Sequence, residues 1–146
     1  AYAKSQIAAG NSLPVTGSVL FSIRDADKAR SVPVARRLHE MGFKIVATKG
    51  TCIEFIKNNI PSEFALKMTE GRPNIVDAII NGQIDLIVNT TVGKQSITDS
   101  FAIRRNAVDR QIPYVTTIRG AEAVVKAIES LKARQIRVKP IQLYHR

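Results

Sequence analysis

Two hydrophobic periods alternate along this chain, a short apolar run and then a stripe spaced three or four residues apart. Ser18 to Ile23 is a β-rich run and reads as a first strand. Val34, Leu38 and Met41 fall at i, i+4 and i+7, the spacing of one helical face. Pro33 fits only near the start of a helix, so the regular part is expected from about Ser31. Gly42 should end it, as glycines commonly do just past a helix. Phe43 to Ala47 reads as strand two, and Thr51 to Asn58 as a short helix opened by Lys49-Gly50-Thr51. Glu63 to Met68 is a weak third strand, and Ile75 to Asn81 a helix closed by Gly82. Asp85 to Asn89 is the clearest strand, apolar enough for burial on both faces. Asp99 or Ser100 is expected to cap a helix running to about Arg110, followed by strand five at Ile112 to Thr116. Ala121, Val124, Val125, Ile128 and Leu131 form the apolar stripe of a last helix.

Strand and helix thus alternate five times. That order predicts an α/β fold, a Rossmann-like three-layer sandwich with a five-stranded parallel sheet between helices. Residues 1–17 read as a lead-in, punctuated by Gly10-Asn11-Ser12 and Pro14. Residues 18–133 form the domain, and 134–146 a basic tail with Arg134, Arg137, Lys139 and Arg146. The opening stretch reads as the end of a helix from something upstream, so the chain is expected to be part of a longer one.

Parallel sheets bind ligands beyond the carboxyl ends of their strands. Thr48-Lys49-Gly50-Thr51 follows strand two. Its glycine lets the backbone approach an anion, and Thr51 opens a helix whose free N–H groups face it. Lys28 and Lys67 follow strands one and three and add positive charge. Asn89-Thr90-Thr91 follows strand four and offers hydrogen bonds to a sugar or a base edge. Each of these also has a plain structural reading as a turn, a solvated charge or a polar strand end. Their arrival at one end of one sheet is what favours a site.

The remaining chemistry is thin. The chain has one cysteine, Cys52, which reads as a small buried residue and points to a reducing, cytoplasmic setting. It carries no spacing for structural zinc. His39 and His145 lie away from the strand ends and read as surface residues. There is no GxSxG, P-loop or complete GxGxxG motif. Asp25, Asp27, Glu70 and Asp99 form no evident pair for acid–base work. Catalytic residues are therefore expected to be absent, as is a metal site. Lys and Arg total 22 against 12 Asp and Glu, a net charge of +10, which suits a phosphorylated ligand or a polyanion. With aromatic residues at 5% and no Trp, a stacking platform for nucleic acid is not expected. No apolar run is long enough for a membrane span, and the first residues lack the apolar core of a signal peptide.

Several runs together carry a family resemblance. Glu70-Gly71-Arg72-Pro73-Asn74-Ile75, Asp85 through Thr91, Ile103-Arg104-Arg105-Asn106-Ala107 and Phe43 through Thr51 resemble, in collinear order, the end of bacterial carbamoyl-phosphate synthase large chains. Ala1-Tyr2-Ala3-Lys4-Ser5-Gln6 is similar to the segment that joins the last synthetase domain to the regulatory one. The resemblance implies a C-terminal allosteric domain with a methylglyoxal-synthase-like fold. It implies a nucleotide sensor, inhibited by UMP and activated by IMP at one site, with ornithine acting at the border with the synthetase domain. The effector phosphate would then meet Lys28, Thr48, Thr51 and Lys67. Sugar and base would meet Asn89, Thr90 and Thr91, with Asp99 and Ser100 nearby.

Tyr114 and Thr116 would serve ornithine, flanking Val115, where bacterial members often carry Asp. A lost carboxylate weakens a site for a cationic amino acid. The implied parent is an ATP-dependent ligase using Mg or Mn and K, with no cofactor in this part. It makes carbamoyl phosphate from bicarbonate and glutamine-derived ammonia for arginine and pyrimidine biosynthesis. The implied partners are its synthetase domains, a small glutamine amidotransferase subunit and further copies of itself. Two relatives are set aside. Urea-cycle synthases sense N-acetylglutamate with a Trp that this chain lacks. Methylglyoxal synthase, a lyase acting on a triose phosphate, needs an Asp where this chain has Arg72, which cannot serve as that base.

Overall fold

The computed structural model describes residues 13–91 and 97–144, with the backbone alone at 97–100 and 135–144. At its centre is β1 (Ser18–Ser22), whose Val19 and Phe21 face one core while Leu20 faces another. Successive strand side chains point to opposite faces, so a strand covered on both sides must be apolar throughout. β4 (Leu86–Asn89) follows the same rule, with Leu86 and Val88 on one side and Ile87 on the other. With β2 (Lys44–Ala47), β3 (Glu63–Phe64) and β5 (Tyr114–Val115) they form one parallel sheet in the order β3-β2-β1-β4-β5. The expected five-stranded α/β fold is therefore present.

One face packs on α1 (Lys28–Glu40), α2 (Lys49–Lys57) and α5 (Ile118–Tyr144), through residues such as Leu38, Phe55 and Val125. Phe21 and Phe55 meet edge to face at 5.1 Å between centroids, the arrangement aromatic rings prefer. The other face packs on α3 (Ile75–Ile80) and α4 (Ile97–Asp109), through Ile75, Ile79, Ile103 and Ala107. Gly42 and Gly82 close α1 and α3 with positive φ, as expected. Gly17 has φ +123°, and a Cβ there would stand 2.1 Å from Asp85 Oδ2. That carboxylate accepts the Ser18 N–H at 2.9 Å, so the entry to the central strand depends on a residue without a side chain.

Several element boundaries differ from the sequence reading. α1 begins at Lys28, after a turn at Asp25–Asp27, and holds Pro33 in its second turn. Proline removes one helical N–H, but both Pro33 and the residue four back, Ala29, are exposed, so water can serve that carbonyl. β3 is two residues instead of six; beyond Phe64 only Leu66 makes a bridge, to Asn74. β5 is also two residues, because Ile112 N–H donates to Ala107 O and Pro113 has no N–H to give. α4 starts at Ile97, which puts Asp99 and Ser100 inside its first turn rather than at its cap. α5 runs unbroken through the basic stretch to Tyr144. Among the described residues no helix is long and apolar enough to cross a membrane.

Candidate functional site

All five strands are parallel, so their carboxyl ends share one edge of the sheet. A cavity of about 610 Å³ opens there, lined by Ile23, Arg24, Asp25, Ala26, Lys28, Thr48, Gly50, Thr51, Lys67 and Thr91. Its volume lies within the range of ligand pockets. The four residues expected to hold a phosphate, Lys28, Thr48, Thr51 and Lys67, all line it, although they come from three different strand ends.

Thr48 takes the N-cap position of α2 with an extended backbone and makes no side-chain cap hydrogen bond. Its own N–H donates to Phe21 O at 3.1 Å, tying the cradle to β1. Cys52 N–H already donates to Thr48 O at 2.7 Å. The N–H groups of Lys49, Gly50 and Thr51, in the first turn of the helix, have no carbonyl partner among the described residues and favour an anion. Thr51 is buried; its hydroxyl accepts the Ile23 N–H at 3.1 Å and lies 3.4 Å from Ile23 O, toward which it donates. The cradle is thus held to the end of β1 from both sides.

Lys28 arches over Gly50. A Cβ on Gly50 would meet Lys28 Nζ at 3.2 Å and Cε at 3.3 Å. The same ammonium is ion-paired with the Asp25 carboxylate, which stands almost fully in solvent. Lys67 is half-buried, and its ammonium has no partner among the described residues. The Lys67 N–H is held by Glu70 Oε1 at 2.8 Å, which fixes the loop that presents the side chain. Three cations, Arg24, Lys28 and Lys67, face one carboxylate, Asp25, around the cavity.

The strand-four residues divide in a way the sequence did not disclose. Thr91 lines the cavity. Asn89 does not: it is fully buried beneath Thr91. Its Oδ1 accepts the Thr91 N–H at 3.1 Å and the Thr91 hydroxyl, and its Nδ2 donates to the Tyr114 hydroxyl at 3.2 Å. In this geometry Asn89 positions Thr91 rather than reaching a ligand. Thr90 turns to the opposite side, where its hydroxyl accepts the Arg24 N–H at 3.0 Å. The side chains of Asp99 and Ser100 lie outside the described residues. Tyr114 is enclosed in the core, where burial raises its phenol pKa against the lowering effect of the Asn89 hydrogen bond. Thr116 is exposed beyond the end of β5. The two residues expected at an ornithine site are therefore not presented to one surface.

Cys52 packs under α2 with Sγ 3.7 Å from Ser62 O, and burial pushes its thiol pKa up. It behaves as a core residue, as expected, and His39 is on the surface. Arg72 is exposed and forms a two-bond ion pair with Asp77, at 2.7 and 3.3 Å, away from the cavity lining. Arg72 is thus a cation already engaged by Asp77, outside the cavity. What the cavity can do is bind an anion through backbone N–H groups, two hydroxyls and two ammonium groups.

The sequence profile of the MGS-like domain matches residues 30–116. The chain is 50% identical over 144 residues to a carbamoyl phosphate synthase large chain of Myxococcus xanthus. That match covers 99% of this chain and 13% of the relative. It is 49% identical over 146 residues to the large chain of Archaeoglobus fulgidus, covering 99% of this chain and 14% of that one. A C-terminal section of the large chain from Methanopyrus kandleri is 46% identical over 147 residues, covering 100% of this chain and 27% of that protein. The chain thus spans well under a third of the length of these relatives.

Proposed function

This chain belongs to the MGS-like domain family, in the form carried at the C-terminal end of carbamoyl phosphate synthase large chains, and we propose that it is a non-catalytic regulatory domain that binds a nucleoside monophosphate. The observation that carries the reading is the convergence of Lys28, Thr48, Thr51 and Lys67 on one cavity at the amino end of α2. The effector phosphate sits on the α2 N–H groups, with Lys28 and Lys67 as counter-charges. Thr91, held by Asn89, faces the sugar or base.

Inhibition by UMP and activation by IMP then require that the two bind differently to two arrangements of the domain against its synthetase neighbours. A coupling of about 1–3 kcal/mol would be typical. The part proposed to move is either the loop Thr69 to Asn74 or the helix α4. The remainder of the parent enzyme is proposed on the same footing. It would be a cytoplasmic ATP-dependent ligase with Mg or Mn and K, fed by a glutamine amidotransferase subunit, serving arginine and pyrimidine biosynthesis.

The test is calorimetric titration of Lys67→Ala against wild type. The Lys67 ammonium makes no ion pair among the described residues, so the melting temperature should stay within a degree or two. Nucleotide affinity should fall about tenfold, as expected for one charge-assisted hydrogen bond. Unchanged affinity would remove Lys67 from the site and, with it, the argument from convergence.

A further inference from the structure

A second cavity, of about 590 Å³, lies across Arg24 from the first and shares no other lining residue with it. Arg24, Arg30 and Arg119 line it, together with Thr90, Thr116 and Thr117. The carboxylate in its wall is Asp27, which is buried and engaged by Arg24 Nε at 2.6 Å. That leaves Arg30, from α1, and Arg119, from α5, with no ion-pair or hydrogen-bond partner among the described residues. Three guanidinium groups against one carboxylate give the lining a net charge of +2.

Isolated surface arginines are ordinary. Here two separate helices bring theirs to one concave surface whose base is fixed. Thr90 is buried and holds the Arg24 N–H. Thr117 Oγ1 accepts the Gly120 N–H at 3.0 Å, which sets the backbone carrying Arg119. Like charges gathered this way repel when nothing lies between them. Planar guanidinium forks match carboxylate and phosphate oxygens two at a time. A concave surface of this volume suits a small molecule better than a flat protein face.

We propose that this cavity is a second anion site, which takes the phosphate or carboxylate group of a small molecule independently of the cradle at α2. Arg30 and Arg119 grip the oxygens, and the exposed Thr116 hydroxyl supplies a further hydrogen bond. Arg24 forms the wall between the two sites. Its N–H rests on Thr90, and the adjoining Ile23 N–H rests on Thr51 of the first cradle. Position at a strand end does not single out Arg30 and Arg119, which lie in the first turns of α1 and α5.

The test is an amide-resolved NMR titration at low ionic strength, with inorganic phosphate in one arm and succinate in the other. Wild type is compared with the double variant Arg30→Ala/Arg119→Ala, both positions being exposed. Saturable shifts at Thr116 to Gly120, weakened at least tenfold in the double variant, are the expected result. The arm that gives the tighter binding identifies phosphate or carboxylate as the ligand group. No shifts at Thr116 to Gly120 in either arm, or shifts the double variant leaves unchanged, would overturn the proposal. Shifts at Thr48 to Thr51 report the first cradle separately. Their loss without loss of the Thr116 signals would count against the nucleotide reading and not against this one.

Discussion

Replacing Gly50 by Ala should make the domain more stable and a poorer binder at once. Gly50 lies in the first turn of α2, and no positive φ marks its backbone. Alanine exceeds glycine in helix propensity by about 1 kcal/mol in a helix interior, so roughly half of that is expected in a first turn. For a domain of this size, roughly 0.5 kcal/mol corresponds to about 1–2 °C in melting temperature. The neighbours a methyl would meet are Lys28 Nζ at 3.2 Å and Cε at 3.3 Å. These are the far end of a flexible side chain, which can yield by a few tenths of an ångström, so the stability gain survives.

The ligand has no such freedom. A helical Cβ leans toward the amino end of its helix, so the methyl enters the space where the phosphate meets the N–H groups and displaces Lys28 from above it. Losing one charge-assisted hydrogen bond, about 1.5–3 kcal/mol, means at least a tenfold weaker nucleotide complex. Urea unfolding and calorimetric titration read the two quantities on the same sample. Unchanged affinity, or a loss of more than about 1 kcal/mol in stability, would refute the assignment of Gly50 to the floor of an anion cradle.

Other outcomes follow from the same geometry. Gly17→Ala should destabilise by about 2–3 kcal/mol, since its φ of +123° and the 2.1 Å approach to Asp85 Oδ2 leave no room for a methyl without losing the Ser18 hydrogen bond. A urea midpoint equal to wild type would contradict this. The Arg72 hydrogen bond, and then the Asn74 N–H, hold the Asp77 carboxyl below the usual carboxylate range. Its contribution is therefore present above the ordinary aspartate pKa of about 3.9 and lost as pH falls through the lower folded value. Asp77→Asn should lower stability near neutrality, and the gap to wild type should close as pH drops below about 4. A gap of constant size across that range would rule out the ion pair as its origin.

The sheet was legible where burial on both faces demands unbroken apolar runs, as at Val19–Phe21 and Leu86–Val88. It was illegible at the edges. Glu63 and Phe64 are exposed, and nothing in their residue types shows that pairing ends after Ala47↔Phe64. Pro33 misled the reading of α1 because whether a helix tolerates proline depends on which side faces water. For the site, charge and position at strand ends were enough to gather Lys28, Thr48, Thr51 and Lys67. Position could not say that Asn89 points into the core while Thr91, two residues on, lines the cavity. That difference rests on a hydrogen bond to Tyr114, 25 residues away. Nor could it show Tyr114 and Thr116 as differently placed, since the strand ends between them.

The central claim is that the cavity at the amino end of α2 is a nucleotide site. Its most direct measurement is an amide-resolved NMR titration of this chain with UMP and with IMP. The account predicts saturable one-to-one binding of at least one of them, with the largest shifts at Thr48 to Thr51 and at Thr91, their midpoints moving together to about tenfold higher concentration in Lys67→Ala. Absence of shifts at those amides with both nucleotides, or shifts that persist unchanged in Lys67→Ala, would contradict it.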